Sequence, residues 1–400
     1  MPQTSISIRL NPFKKINPEY TGVCAPVPWS PHGVYLEGRP VFTLDPAFHA
    51  GAYYVQDASS MFVGWVFRKV LDLREESPEG CNILRPAPCV LDLCAAPGGK
   101  TTDIAASLRE RFGSNWHLTA NEVIKKRFSI LQDNVRKWGD PQVECISCDP
   151  SRIEGDYDIV VADVPCSGEG MFLKSEAAVE NWSEENVELC AERQRRIISD
   201  IWTTLKPGGT LIYSTCTFND KENDGNVEWI CKNLGGEVLH LENPFREAGV
   251  RSTRCGFLLH PDSVKGLGQY CAAVVKGTPV PSEDKYDLRG HEEQRRKEKK
   301  SHPKIQDRGK IPAERTSKPD PDSPLSLDFD RNVYPEIELS LQDALKYLHR
   351  DSLQLPAGSP AGYITVCYKG LPLGFVKNIG RRANNLLPQS RRILMDITKL

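Results

Sequence analysis

Between Cys89 and Lys276 the chain alternates short apolar runs with amphipathic ones: CVLDLCA then TDIAASLRERF, HLTANEV then KKRFSILQDNVRKWG, VECISCD, YDIVVADVP, CAERQRRIISDIWTTLKP, GTLIYSTC, NVEWICKNLGG and YCAAVVK. Apolar runs of strand length separated by helical patterns call for repeated βα units. Strands that are apolar on both faces call for a parallel sheet covered by helices on either side. The expected fold class is therefore α/β with a Rossmann-like sheet. In such sheets ligands sit at the carboxyl ends of the strands. Three runs end in unusual chemistry, at Cys94, Cys166 and Cys216, so a shared site is expected there.

The flanks read differently. The first 60 or so residues carry NPFKKINPEY and APVPWSPHGVY, rich in proline and aromatics, and predict an irregular arm with short strands and no core of its own. The arm begins abruptly, as if something preceded it. From Gln56, QDASSMFVGWVFRKVLDL has helical spacing after an Asp57 or Ser59 cap and is expected to lie against the sheet. Further on, EEQRRKEKKSHPK and ERTSKPDPDSP are dense in charge and proline, the composition of a flexible linker. Beyond them, EIELSLQDALKYL predicts an amphipathic helix and AGYITVCYKGLPLGFVKN a hairpin, together a small α+β module. From Phe375 to Leu400 that module carries six Lys or Arg against Asp396 alone: Lys377, Arg381, Arg382, Arg391, Arg392 and Lys399. A one-signed cluster on a compact module favours phosphate, and hence RNA, as partner.

A chain of 400 residues with 39% hydrophobic content can bury a proper core. Its thirteen cysteines, without a signal peptide or an apolar run approaching about 18 residues, predict reduced thiols in a cytoplasmic protein and no membrane span. The eight histidines are scattered, so no metal site is expected. The formal net charge of -2 excludes a uniformly basic coat and leaves local patches to carry any nucleic-acid contact.

LDLCAAPGGKTTDIAASL joins a strand to a helix through Cys94, Ala95, Ala96, Pro97, Gly98 and Gly99, followed by Lys100. Small residues let a ligand approach the backbone, and a helix start offers free N–H groups. The loop lacks the first glycine of a phosphate loop, and it is no G-x-G-x-x-G fingerprint either. Glu122, at the end of the second strand, stands where a ribose-binding carboxylate belongs. An adenosine without phosphates fits both facts, which describes S-adenosylmethionine, with Glu122 on the ribose and Asp149 on the adenine edge. Either acid alone is also compatible with a helix cap.

DVPCSGEG and YSTCTF close two apolar strands with Cys166 and Cys216. Carbon 5 of cytosine is a weak nucleophile, and addition of a thiolate at C6 activates it toward a methyl donor. Asp163, placed before Pro165 and Cys166, suits the N3 edge of the base if burial keeps its proton. A free thiol is only about three per cent ionised at pH 7, so the nucleophile needs a cation or helix start nearby, and Lys100 is the first candidate.

LDLCAAPGGKT, Glu122, DVPCSGEGMF and LKPGGTLIYSTCTF together resemble the RNA 5-methylcytosine methyltransferases of the NOL1/NOP2/Sun family. GAYYVQDASSM and GYITVCYKGLPLGFVKN with NNLLPQSRR resemble its bacterial RsmF-like branch, which ends in a PUA-like RNA-binding module. The resemblance implies a class I S-adenosylmethionine-dependent methyltransferase domain over residues 56–277. An N-terminal RNA-facing arm over 1–55, a linker over 278–325 and the PUA-like module over 326–400 complete the chain. It further implies Cys216 as nucleophile and Cys166 as the thiol that assists release. Cofactor contacts are implied from Cys94 through Lys100 and at Glu122, Asp149 and Asp163. Departures are few: the helical lead-in before Ser5 is short, GQYCAAVVK lacks paired phenylalanines, and Pro150 follows Asp149 where glycine is usual. The expected activity is 5-methylcytosine formation in structured RNA, with small-subunit rRNA as substrate. Three alternatives stay open: tRNA as substrate, a non-catalytic ribosome assembly factor, and DNA methylation, in which the Cys166 thiol would attack instead.

Overall fold

The computed structural model describes residues 5–15, 22–76, 87–172, 179–180, 182–277 and 318–397. Most of the expected linker and Lys399 lie outside the described residues. The body is built on a central sheet of nine strands in the order β11-β12-β13-β9-β8-β5-β6-β7, with β10 paired to β13. Its parallel part consists of β5 (Cys89–Asp92), β6 (His117–Asn121), β7 (Val143–Ile146), β8 (Tyr157–Asp163) and β9 (Leu205–Thr215). Strand order reverses at β5, between β6 and β8, so the cleft above β5 and β8 is the place where this topology leaves room for a ligand. The wholly parallel expectation needs one correction: β13 (Gln269–Lys276) runs antiparallel to β9. It carries the short β10 (Gly236–Val238), β12 (Gly256–Leu259) and β11 (Arg251–Ser252) beside it.

Local chemistry sets the helices. Asp57 accepts from the Ser59 amide (3.0 Å) and a 3-10 turn leads into α2 (Phe62–Glu76), preceded in the chain by the single turn α1 (Pro46–His49). The helix α3 (Gly99–Phe112) starts after Gly98, whose φ of 108° admits glycine most readily, and stops at Gly113. Next come α4 (Lys125–Trp138), ended by Gly139, and α5 (Glu184–Trp202), capped by Ser183 with two acids in its first turn, which complements the helix dipole. The helix α6 (Asp224–Leu234) follows β9. Phe62, Val66, Phe67 and Val70 of α2 pack with Ile104, Ala105 and Leu108 of α3 over Val90, Leu118, Ile159 and Ile212. On the other face Ile197, Ile198 and Ile201 of α5 meet Leu91, Val160, Leu211 and Tyr213. The six residues of YDIVVA are buried without alternation, as a central strand covered on both sides requires.

The N-terminal segment is more regular than an arm. Its strands β1 (Ile6–Leu10), β2 (Val23–Pro26), β3 (Gly33–Leu36) and β4 (Tyr53–Val55) form a sheet in the order β2-β3-β1-β4. Pro and Gly had masked strands of only three to five residues. The expectation that it has no separate core agrees with the packing: Ile8, Leu36 and Tyr53 share a core with Leu345, Leu348 and Leu373 of the C-terminal module. In that module β14 (Glu336–Glu338) pairs with β15 (Gly362–Tyr368), β15 forms a hairpin with β16 (Leu371–Asn378), and β17 (Ala383–Asn385) closes the sheet. The helix α7 (Leu341–Leu348) begins only after Ser340, which caps Asp343. The first residues of EIELSLQDALKYL are thus a strand, not helix. The linker also ends earlier than expected, because Pro324 and Leu325 are buried and Leu327 donates to the Gly139 carbonyl (2.8 Å).

Candidate active site

The turn after β5 is held by its carbonyls. Arg127 donates to Ala96 (2.7 Å), while Tyr54 (3.0 Å) and Asn134 (2.8 Å) donate to Pro97. The Ala95 amide reaches Asn121 at the end of β6 (2.8 Å). A Cβ on Gly98 would come within 3.2 Å of Leu131 and one on Gly99 within 3.3 Å of Tyr54, so the turn is narrow on both sides. Burial pushes the neighbouring Cys94 thiol up and moves the Asp92 carboxyl up to about 7, although Thr101 donates to it at 2.6 Å. Glu122 is 2% exposed and accepts from the Ile124 amide (2.9 Å). Its Oε2 lies 3.2 Å from Arg127 yet has no hydrogen-bond partner, and neither does Asp92 Oδ1. Two buried carboxylate oxygens with spare acceptor capacity beside a glycine turn suit a polyhydroxylated ligand such as an adenosine. Asp149 is different: it caps the 3-10 turn Pro150–Arg152, accepting from the Ser151 amide (3.0 Å) and hydroxyl (2.6 Å), which hold its carboxyl below the usual range. Pro150 at the first position of that turn favours the capping role.

Cys166 and Cys216 meet. Their Sγ atoms are 3.0 Å apart, each half-buried, at the carboxyl ends of β8 and β9. Parallel neighbours in register put Asp163 opposite Ser214, so loops leaving the two strand ends meet. The contact shifts the two thiols in opposite directions. Hydrogen bonding from Cys166 lowers Cys216 despite burial and the Asp163 charge, and Lys100 adds a smaller effect in the same sense. Cys166 is raised by the same bond, by burial and by the charges of Cys216 and Glu222. Lys100, the cation that the sequence put first as activator of the thiol, acts in the expected sense but ranks below the Cys166 hydrogen bond. Its ammonium is spent on Asp163 (2.8 Å) and Ser60 (2.8 Å). Burial by itself would lower Lys100, but the Asp163 carboxylate outweighs it and holds the lysine above its ordinary value.

Asp163 itself accepts from Ser214 (2.8 Å), Gln269 (3.0 Å) and Lys100. All three neighbours donate to it, Lys100 and Ser214 both at 2.8 Å.

Several participants carried no readable signal. Gln269 and Ser214 orient Asp163, and buried Glu222 accepts from the Ser167 amide (3.0 Å), Gln194 (2.6 Å) and Asn219 (2.8 Å). Ser214 lay inside YSTCTF, and Ser167 and Glu169 inside DVPCSGEG, motifs already singled out for their cysteines. The expectation of no metal site counted C-x-x-C pairs as absent, and that needs correction: Cys145 and Cys148 of VECISCD form one. Among the described residues no group of three or more His, Cys, Asp or Glu could hold a metal ion.

The basic C-terminal cluster divides. Lys377 is exposed over the Tyr363 ring (5.2 Å), and exposed Arg381 and Arg382 line a cleft of about 450 Å³ with Gln354 and Ser359. Arg392 is exposed beside His349. Arg391 is not available to a phosphate: its side chain is 7% exposed and paired with Asp133 of α4 (2.9 Å) and Asp322 (3.1 Å). It is a tie between the module and the central domain.

Comparison with known proteins agrees with each part. Residues 2–58 match the model of the N-terminal domain of 16S rRNA methyltransferase RsmF, 83–256 that of 16S rRNA methyltransferase RsmB/F, and 334–393 that of the methyltransferase RsmF PUA domain. Ribosomal RNA small subunit methyltransferase F of Klebsiella pneumoniae (strain 342) is 35% identical over 270 residues, covering 63% of this chain and 53% of that protein. The protein of the same name from Escherichia coli (strain SE11) is 32% identical over 291 residues, covering 70% and 57%. The chain thus spans a little over half the length of these relatives. Among solved structures, a methyltransferase homolog protein from Pyrococcus horikoshii superposes with a TM-score of 0.54 at 25% identity, covering 68% of this chain and 87% of that one. NSun6 from the same organism, solved with SFG, gives 0.53 at 18%, covering 69% and 92%. With three domain models matched in order along one chain, and two thiols joined at the strand ends of a methyltransferase sheet, the protein belongs to the RsmF-type branch of the RsmB/F RNA methyltransferase family.

Proposed function

We propose that this chain is an S-adenosylmethionine-dependent RNA cytosine-C5 methyltransferase that forms 5-methylcytosine in structured RNA, with small-subunit rRNA as substrate. The observation that carries the reading is the Cys166–Cys216 contact of 3.0 Å beside the Lys100–Asp163 pair. Cys94 through Lys100 and Glu122 would hold the cofactor, with Glu122 Oε2 free to accept from a ribose hydroxyl; Asp149 would serve the adenine edge. When bound, S-adenosylmethionine supplies an electrophilic methyl group.

The remaining work falls to the protein. The Cys216 thiolate adds to C6 of the base, and the electron pair displaced toward the N3 edge is met by Asp163 with the proton carried by Lys100. After methylation Cys166 gives its own proton to the departing Cys216 sulfur and takes up the C5 proton; the C5–H pair forms the C5–C6 double bond, the C6–S pair returns to Cys216, and the N3 proton returns to Lys100. Cys166, 3.0 Å from Cys216, is placed for both transfers. The target base must leave its stack to reach the thiols, and the exposed cations of the C-terminal module supply backbone affinity with little sequence choice.

Two variants and one map test this. Cys216→Ala is expected to lower methyl transfer by on the order of 10⁴-fold or more with cofactor affinity intact. Cys166→Ala is expected to accumulate a covalent protein–RNA adduct. Normal turnover by Cys166→Ala without adduct would remove its assigned role, and adduct formation lost only in Cys166→Ala would point to the DNA-type mechanism. Mapping 5-methylcytosine in rRNA and tRNA from cells with and without the protein identifies the substrate; an unchanged map in both pools would overturn the reading.

A further inference from the structure

The loops that carry the two thiols are laced together by carboxylates running in opposite directions. Glu169, three residues after Cys166, accepts from the backbone amides of Phe218 and Asn219, just past Cys216. Glu222, six residues after Cys216, reaches back and accepts from the Ser167 amide, next to Cys166. Gly170 completes the crossing, its amide donating to the Cys216 carbonyl (2.8 Å). A Cβ at Gly170 would lie 2.8 Å from that carbonyl oxygen, so the strand ends approach too closely for a side chain there. Glu222 is 0% exposed and is itself held by Gln194 and Asn219, while the Tyr213 hydroxyl donates to its carbonyl (2.6 Å). Gln194 also donates to the Pro165 carbonyl (2.9 Å), the residue before Cys166. A fully buried carboxylate is costly without partners. Its retention here, with hydrogen bonds to Ser167 of one loop, to Asn219 of the other and to Gln194 of α5, calls for a role beyond packing.

We propose that Glu222 is a positioning residue that, with Glu169, holds the Cys166 loop against the Cys216 loop and reserves the proton for Cys166, so that Cys216 acts first as nucleophile and Cys166 second as proton carrier. The proposal rests on the two-thiol reading above and deepens it. The groups that face Cys166 are Cys216, Glu222 and Tyr213; those that face Cys216 are Cys166, Asp163 and Lys100. Glu222 is the charged group whose sign opposes ionisation of Cys166 without being among the principal influences on Cys216.

The test is the pH dependence of iodoacetamide alkylation at each cysteine of the full chain, read by peptide mass spectrometry without RNA or cofactor. In the unmodified protein Cys216 is expected to alkylate at neutral pH and Cys166 only at alkaline pH. In Glu222→Gln, which keeps size and loses charge, the Cys166 profile is expected to move down by about one pH unit and the preference for Cys216 to shrink. A purely structural role would not shift the profile, so a Glu222→Gln protein with unchanged melting temperature and unchanged profiles overturns the proposal. Should Glu222→Gln fail to fold, Glu222→Asp keeps the charge at shorter reach, and there Cys166 must stay alkaline; neutral-pH alkylation of Cys166 in Glu222→Asp would equally overturn it. Failure of the methyltransferase reading is distinguishable, since it would leave RNA unmethylated by a protein whose thiols still followed these profiles.

Discussion

The cysteine site and the basic C-terminal tail are both dense in chemistry-bearing residues, and the fold treats them in opposite ways. At the ends of β8 and β9 residues 50 positions apart are drawn to 3.0 Å. In the tail, adjacent residues are sent in different directions, Arg392 outward like Arg381 and Arg391 inward onto Asp133 and Asp322. Parallel neighbours in a sheet bring their carboxyl ends together whatever the loop sequence, so chemistry placed there converges. An irregular segment has no period to say which side chain faces in. Charge density is therefore a weaker guide to a site than position on a strand end.

The largest expected effect lies at the convergent site. Lys100→Met removes the partner of Asp163 and should lower methyl transfer by roughly 10²–10⁴-fold, measured under single-turnover conditions; activity near the unmodified level would show that the pair is structural. The tail comes next, and its two kinds of arginine should behave differently. Arg391→Ala removes the cation shared by Asp133 and Asp322 at the joint and should cost about 1–2 kcal/mol in denaturant unfolding, because Asp133 keeps Lys137 at 3.2 Å. A stable Arg391→Ala protein with weakened RNA binding would restore Arg391 to the RNA surface.

The joint has a pH signature as well. Lys14 donates to the carbonyls of Ala50 (2.9 Å) and Lys137 (2.7 Å), and burial, with Arg391 adding to it, lowers it to about 7 from 10.5. Between those values the unfolded chain binds a proton that the folded chain does not. Stability should therefore rise with pH across that window, by up to about 1.4 kcal/mol per unit, and the cost is full below it. Lys14→Met should lack this rise when melting is followed from about pH 7 to pH 10; parallel curves for the two proteins would place the shift elsewhere. The smallest effect belongs to the outward cations. Arg381→Ala and Arg382→Ala should leave the melting temperature unchanged, weaken RNA binding a few-fold and each reduce the salt slope by about 1. A salt slope that did not change would exclude them from phosphate contact.

Much of the site could be read before any coordinates. Cys166, Cys216, Asp163, Lys100 and the glycine turn all stand at ends of apolar runs, and period and punctuation locate such ends. Glu222 and Gln194 could not be found this way. An acid in FNDKEND looks like any solvated loop residue, and only tertiary packing shows it to be 0% exposed. The N-terminal sheet was missed for a related reason. Its strands are three to five residues long, too short to show alternation, and their apolar partners, such as Leu345 and Leu348, lie some 300 residues away.

The sequence by itself determined the α/β class and marked the glycine turn and the strand-end cysteines as the candidate site, because those depend on local periodicity and on side chains with few alternative uses. Tertiary structure decided that Cys166 and Cys216 come into contact, that Lys100 serves Asp163 before Cys216, that Asp149 also caps its own turn, and that Arg391 is a tie and not an RNA contact. Each of these is a choice among partners brought close by folding. Electrostatic and hydrogen-bond energies change steeply over a few ångströms, a distance that no spacing along the chain encodes.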